Sequence, residues 1–221
     1  MGNSLSAHAI LSKKYKYFEI EGKWRESVGL LARPFSMLVF GRPKNGKTSF
    51  IMSLCKYLTS FGKVYYNSAE EGDSKTIQDS LILCKMDEVP SHLFTLGDRD
   101  TFDEMVVKLK YNRAVFVVID SIDYIYMTKL QYQNLRELFP NKSFIIISWE
   151  KNGKPKTQVA KDIEHMVGSI VHVKNFTAYV QGRYGGNEPY VIWDRGKKKV
   201  EPKPEQLSLP LGDEKEEEDG E

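Results

Sequence analysis

The chain is predicted to form an α/β domain with a mainly parallel central sheet, helices on both of its faces and a β-hairpin at its C-terminal end. Three observations predict this. Residues 35–51, FSMLVFGRPKNGKTSFI, pass from an apolar, strand-like run through a glycine-bounded loop directly into a helical pattern. Further short apolar runs, VYYN at 64–67, AVFVVI at 114–119 and FIIISW at 144–149, alternate with segments of helical periodicity, the order of βα units. The last two are apolar almost throughout, as in parallel strands covered on both faces.

A length of 221 residues suits one such domain with appendages. The boundaries expected are a lead-in at 1–34, the α/β domain at 35–199 and an acidic tail at 200–221. Net charge is +2 overall, but residues 201–221 carry two lysines against nine acids, which leaves +9 on the other 200 residues. A basic body of this size is compatible with a nucleic-acid surface, and with plain solubility. Cys55 and Cys84 have no metal-ligand spacing and suggest no disulfide framework, so a reducing cytoplasm is expected. The four histidines form no cluster with them, which argues against structural zinc. The apolar runs are of strand length, and neither a membrane span nor a signal peptide is expected.

In the lead-in, residues 13–34 mix aromatic and charged side chains, and Tyr15, Tyr17 and Trp24 are expected to cover an edge of the core, with base stacking as the alternative. Gly41, Gly46, Lys47 and Thr48 then fill the GxxxxGK[ST] pattern. A glycine turn beside an exposed lysine also matches it, but the strand before and the helix after favour a phosphate loop. On that reading Gly41, Arg42, Pro43, Lys44, Asn45, Gly46, Lys47, Thr48 and Ser49 cradle a triphosphate, Lys47 reaches its β/γ-phosphates and Thr48 reaches Mg²⁺.

Phe50, Ile51, Leu54 and Leu58 recur at helical spacing, and Gly62 marks a stop. The strand at 64–67 runs into Ser68-Ala69-Glu70-Glu71-Gly72, which places two acids at the carboxyl edge of the sheet, where ligands of open α/β folds bind. Glu70 is a candidate base for activating water, and the pair reads equally as a solvated acidic turn. Helical patterns are expected at 74–86 and 101–110 with a short strand at 93–97 between them. The strand from 114 delivers Asp120 to the same edge, where it would hold Mg²⁺ through water. After a helix at 129–138 and the strand at 144–149, residues 150–158, EKNGKPKTQ, read as a mobile basic loop, either a contact for DNA or for a neighbouring subunit's nucleotide, or a plain connection. A short helix at 159–167 and three strands complete the domain, the last two flanking the turn Gly185-Gly186-Asn187-Glu188.

This order of parts resembles the RecA/RadA branch of phosphate-loop ATPases, which includes the motor domain of DnaB-type helicases, over about residues 30–195. GRPKNGKTSF and VFVVIDSI look like its two nucleotide motifs, and YYNSAEEG like its strand-plus-glutamate element, which implies a water-polarising role for Glu70. IEHMVGSIVHV is similar to the stretch after the RadA basic loop, with Gly168 in place of an acid. QGRYGG resembles the element that carries a trans-acting arginine, which implies that role for Arg183, with Lys151 or Lys154 as alternatives. The resemblance implies an ATPase using ATP and Mg²⁺, assembled as a homo-oligomeric ring or filament and acting on single-stranded DNA in recombination, repair or replication. A nucleotide-switched regulatory module with little turnover is the second class, and a small-molecule kinase a third, for which no substrate lid is found. The chain departs from the family in the short interval after Asp120 and in having Ser148-Trp149 where a polar sensor is usual.

The tail, Pro-rich and then strongly acidic, is expected to be disordered. Within it Gln206, Leu207, Ser208, Leu209, Pro210 and Leu211 resemble the motif by which bacterial replication proteins bind the sliding clamp, in the version carried by the DnaA-inactivating ATPase Hda. That implies a clamp partner in a bacterial or phage-infected bacterial cell. The same leucines could instead fold back on the domain.

Overall fold

The computed structural model describes residues 4–183 and 185–193. Tyr184 and the tail expected at 200–221, with its clamp motif, lie outside the described residues. A short helix α1 (Ala7–Leu11) and α2 (Gly22–Val28) precede β1 (Ser36–Gly41), and the phosphate-loop segment leads into α3 (Lys47–Leu58). Then come β2 (Val64–Ser68), α4 (Lys75–Leu83), a 3₁₀ turn, β3 (Phe94–Asp98), α5 (Phe102–Tyr111) and β4 (Phe116–Asp120). The chain continues through α6 (Ile122–Ile125), α7 (Lys129–Leu138), β5 (Ser143–Lys151), β6 (Lys154–Pro155), α8 (Gln158–Glu164), β7 (Ser169–Lys174), β8 (Thr177–Gly182) and β9 (Tyr190–Val191).

The sheet order is β3-β2-β4-β5-β1-β7-β8-β9, with β6 paired to β5 alone. Every pairing from β3 across to β7 is parallel, and β8 and β9 close the edge antiparallel. The expected fold class is the one found. Alternate residues of the central strands enter opposite cores, because successive side chains of a strand point to opposite faces. Met37, Val39, Phe116, Val118, Ile145 and Ile147 join one apolar cluster with Phe50, Ile51 and Leu54 of α3. Leu38, Val117, Ile119, Phe144 and Ile146 join the other with Met105, Tyr132 and Ile163 of α5, α7 and α8. Burial on both faces is why these strands read as unbroken apolar runs.

Two expectations change. The lead-in belongs to the core rather than to its rim: Phe18 is 2% exposed, packed on Phe35, Phe61 and Phe116, with the Arg33 guanidinium 4.3 Å above its ring. Trp24 stacks on Tyr190 and Tyr57 as expected of cover, whereas Tyr15 is exposed. The segment expected as a mobile loop is a tight β-ribbon, in which β5 runs on to Lys151 and turns through Asn152 and Gly153 into β6. Both turn residues have positive φ (55° and 75°), the requirement of a two-residue hairpin that Asn-Gly meets. Among the described residues no helix is long and apolar enough to cross a membrane.

Candidate functional site

Parallel register sets the site by bringing strand ends level. Gly41 pairs with Trp149 of β5 and Val173 of β7, and Ser68 pairs with Asp120, so the segments leaving β1, β2, β4 and β5 emerge along one edge. At Gly41 the approach is close enough to require glycine: a Cβ there would stand 2.2 Å from the Val173 carbonyl oxygen.

From Gly41 the chain rises over Arg42, Pro43 and Lys44, all exposed, and descends through Asn45 and Gly46 into α3. Helices α4, α5, α7 and α8 each have a Ser or Thr side chain, Ser74, Thr101, Thr128 or Thr157, accepting from the first turn. α3 has no such cap; Gly46 occupies its N-cap position at φ 96° and has no side-chain oxygen. The N–H groups of Lys47, Thr48 and Ser49 therefore open the helix with no intrahelical acceptor, at the positive end of its dipole. Such a helix start suits an anion. The Lys47 Nζ donates to the carbonyls of Gly41 (2.9 Å) and Arg42 (3.1 Å), so the loop curls around its own lysine. Burial lowers the pKa of that ammonium, while the charges of Asp120, Glu70, Asp123 and Glu150 act to raise it.

The loop is braced from outside. Asn45 donates to the Pro43 carbonyl (3.0 Å), its Oδ1 accepts from the Asn175 N–H (2.9 Å) and its carbonyl accepts from the Phe176 N–H (3.2 Å). Asn175 and Phe176 are the tight turn between β7 and β8, both at positive φ. Arg42 reaches Glu150 (3.3 Å), whose other oxygen meets His172 (2.9 Å). The Glu150 carboxyl is 6% exposed. Burial alone would raise its pKa, but the bonds from His172, Gly153 and Arg42 bring it below the usual value.

Opposite the loop stand the acids. Asp120 accepts from the Tyr66 hydroxyl. Burial pushes its carboxyl from 3.8 up to about 6, with the Tyr66 bond opposing and the charges of Glu70 and Glu71 adding to the rise. The Glu70 N–H donates to the Asp120 carbonyl (3.0 Å), and its Oε2 accepts from the Trp149 indole (3.0 Å) and the Ser121 hydroxyl (3.4 Å). Burial and the Glu70 charge raise the pKa of Glu71, whose Oε2 is buried without a hydrogen-bond partner, as is the Asp123 Oδ1. Orphaned carboxylate oxygens beside Asp120 are a donor set that fits a hard cation. Among the described residues no three His, Cys, Asp or Glu side chains form a metal cage by themselves. A small hard cation held at such an edge takes most of its ligands from phosphate and water rather than from a protein cage.

A structure of a KaiC-like protein from Pyrococcus horikoshii superposes on this chain with a TM-score of 0.55 at 14% identity, covering 80% of this chain and 94% of that one. The fold is RecA-like. No family model matches the sequence, and no curated protein matches it.

The sheet thus gathers Gly41 to Ser49, Glu70 and Asp120 at one edge and leaves Arg183 out. β8 runs back along β7, so Arg183 lies past its far end, where its N–H donates to the Gly168 carbonyl (3.3 Å). Lys151 and Lys154 are exposed on the ribbon beside the phosphate loop. Sequence reasoning does not single out Tyr66 or Asp123, and treats Trp149 only as a departure from the family. The signals were present: an acid three positions after Asp120, and an indole ending an apolar strand at the ligand edge.

The raised Asp120 pKa has a sign that can be measured. In the pH range from about 4 to 6 the folded chain holds a proton that the unfolded chain has released, so stability of the nucleotide-free protein falls as pH rises through it. Asp120→Asn keeps an acceptor for Tyr66 and removes the buried charge. It is expected to raise the melting temperature near neutral pH and to flatten the slope between pH 4 and 6; a variant with the parent's slope would clear Asp120 of the effect.

Proposed function

We propose that the protein binds ATP with Mg²⁺ and hydrolyses it, coupling the cycle to work on single-stranded DNA in recombination, repair or replication. The observation that carries the nucleotide part is the uncapped start of α3 facing Asp120 and Glu70 across one sheet edge. Phosphoryl transfer needs mainly positioning and charge neutralisation. The cradle from Gly41 to Ser49 binds the phosphates, and Lys47 exchanges its two loop carbonyls for phosphate oxygens. Thr48 and Asp120 would hold Mg²⁺, which neutralises phosphate charge when bound. Glu70 orients the attacking water and takes its proton. We favour Glu70 over Glu71 because the Glu70 Oε2 accepts from the Trp149 indole and the Ser121 hydroxyl, whereas the Glu71 carboxyl bonds Ser74 and leaves its Oε2 buried without a partner.

For DNA and self-assembly the support is narrower: the +9 body, and the exposed lysines of the β5–β6 ribbon next to the phosphate loop. The test is ATP turnover with and without single-stranded DNA, together with the mass of the protein with ATP. Turnover that rises with DNA, and a mass several times that of one chain, is the expected result. Turnover indifferent to DNA would turn the reading to the nucleotide-switched module, and no turnover with tight ATP binding would do so more firmly. The sliding-clamp contact through Gln206 to Leu211 rests on sequence alone. A peptide of residues 201–221 should bind the clamp of the host bacterium and lose it on Gln206→Ala with Leu209→Ala; equal binding by both peptides would remove the clamp as a partner.

A further inference from the structure

Trp149 lies on β5 two residues before its end, level with Gly41 at the nucleotide edge, and has no part in the reaction as set out above. It is held from every side. Its backbone N–H donates to the Asp123 Oδ2 (2.8 Å), which also accepts from the Ser148 hydroxyl (3.1 Å). The edge of its ring meets Tyr124, with centroids 5.6 Å apart at 68°. The Lys156 ammonium lies 4.1 Å from its ring centroid, and the Lys156 N–H donates to the Trp149 carbonyl (2.8 Å). What this fixed indole does with its one polar atom is donate to the Glu70 Oε2 at 3.0 Å.

We infer that Trp149 is the positioning residue for Glu70, fixing the carboxylate in one rotamer. A glutamate on a turn has three free torsions, and a general base must sit within hydrogen-bond reach of the water it deprotonates. The indole is a donor only, so it holds the one Glu70 oxygen that accepts from it. A cation over the ring face draws electron density from the N–H and so strengthens the donor, in the sense of polarised hydrogen-bond chains. Lys156 thereby ties the β5–β6 ribbon to the base. This inference rests on the ATPase reading, because it assumes that Glu70 acts on water.

The test has a kinetic and a spectroscopic arm. Trp149→Phe keeps the ring and deletes the N–H; kcat is expected to fall about 10- to 100-fold with KM for ATP unchanged, the scale of losing alignment without losing binding. Trp149→His, which restores an N–H, should recover part of the loss, and Ser121→Ala, which removes the longer contact, should cost far less. For the second arm, Trp24→Phe with Trp193→Phe leaves Trp149 as the single tryptophan of the three. In that background Glu70→Ala should shift its emission without nucleotide present. A Trp149→Phe enzyme with the parent kcat, or an emission unmoved by Glu70→Ala, would overturn the inference. If the unaltered chain hydrolyses no ATP, the ATPase reading falls instead, and the emission arm decides the contact by itself.

Discussion

Glu70→Gln is expected to bind ATP as the unaltered chain does and to hydrolyse it roughly 10²- to 10⁴-fold more slowly, the range for removing a positioned general base. The substitution is nearly isosteric. Its amide oxygen can still accept from the Trp149 indole and the Ser121 hydroxyl, so the side chain stays where the carboxylate was. What disappears is the capacity to take a proton from water. Lys47→Ala should do the opposite, losing nucleotide binding first, because its ammonium is the cation inside the curled loop and no other side chain donates to the Gly41 carbonyl among the described residues. A pair of variants thus separates grip from chemistry: equilibrium ATP binding for one, single-turnover hydrolysis for the other. Glu71→Gln is the control, expected to change turnover little. Should Glu70→Gln hydrolyse at the parent rate while Glu71→Gln does not, the two carboxylates exchange roles.

Much of this was legible from residue patterns, and what was not has a common cause. Strand runs buried on both faces and helices of regular period could be placed, because each depends on side chains close in sequence. The helix expected at about 129–138 is found over Lys129–Leu138, where the Thr128 cap and Gln131 close its first turn locally. The phosphate loop and the acid at the end of β4 were readable for the same reason: a motif states its own context. Missed contacts all join residues far apart in the chain. Tyr66 meets Asp120 across 54 positions and Trp149 meets Glu70 across 79. The ribbon at 150–158 reads as a loop from composition, because three lysines mask both the Asn152-Gly153 turn signal and a strand of only two residues. In the lead-in, charged neighbours hide Phe18, a ring that reaches the core.

Arg183→Ala is expected to cut ATP turnover about 10³-fold or more if its guanidinium completes a neighbour's site, the effect of an arginine supplied in trans. Its placement sharpens the prediction. Gly168, which pairs with the Arg183 N–H, itself donates to the Ser36 carbonyl at the start of β1, whereas the cradle begins at Gly41 at the other end. At about 3.3 Å per residue, β1 keeps the two roughly 17 Å apart. That separation sets Arg183 far from the cradle of its own chain. It is exposed at the sheet edge beside Arg136, on a recess of about 190 Å³. For it to act, that edge of one subunit must face the phosphate-loop edge of the next, a heterologous contact that closes into a ring or runs on as a filament. Specific activity should then rise with protein concentration. Mixing gives the decisive result: Arg183→Ala offers a sound cradle, Lys47→Ala offers a sound arginine, and neither is active alone. In an equal mixture assembled at random, about one interface in four joins the first variant's cradle to the second's arginine, so activity should return to roughly a quarter of the parent's. A mixture as inactive as its components, with turnover per chain independent of concentration, would leave Arg183 as a surface residue at the end of β8 and return the ribbon lysines Lys151 and Lys154, which stand on the nucleotide edge itself, as the cations to test.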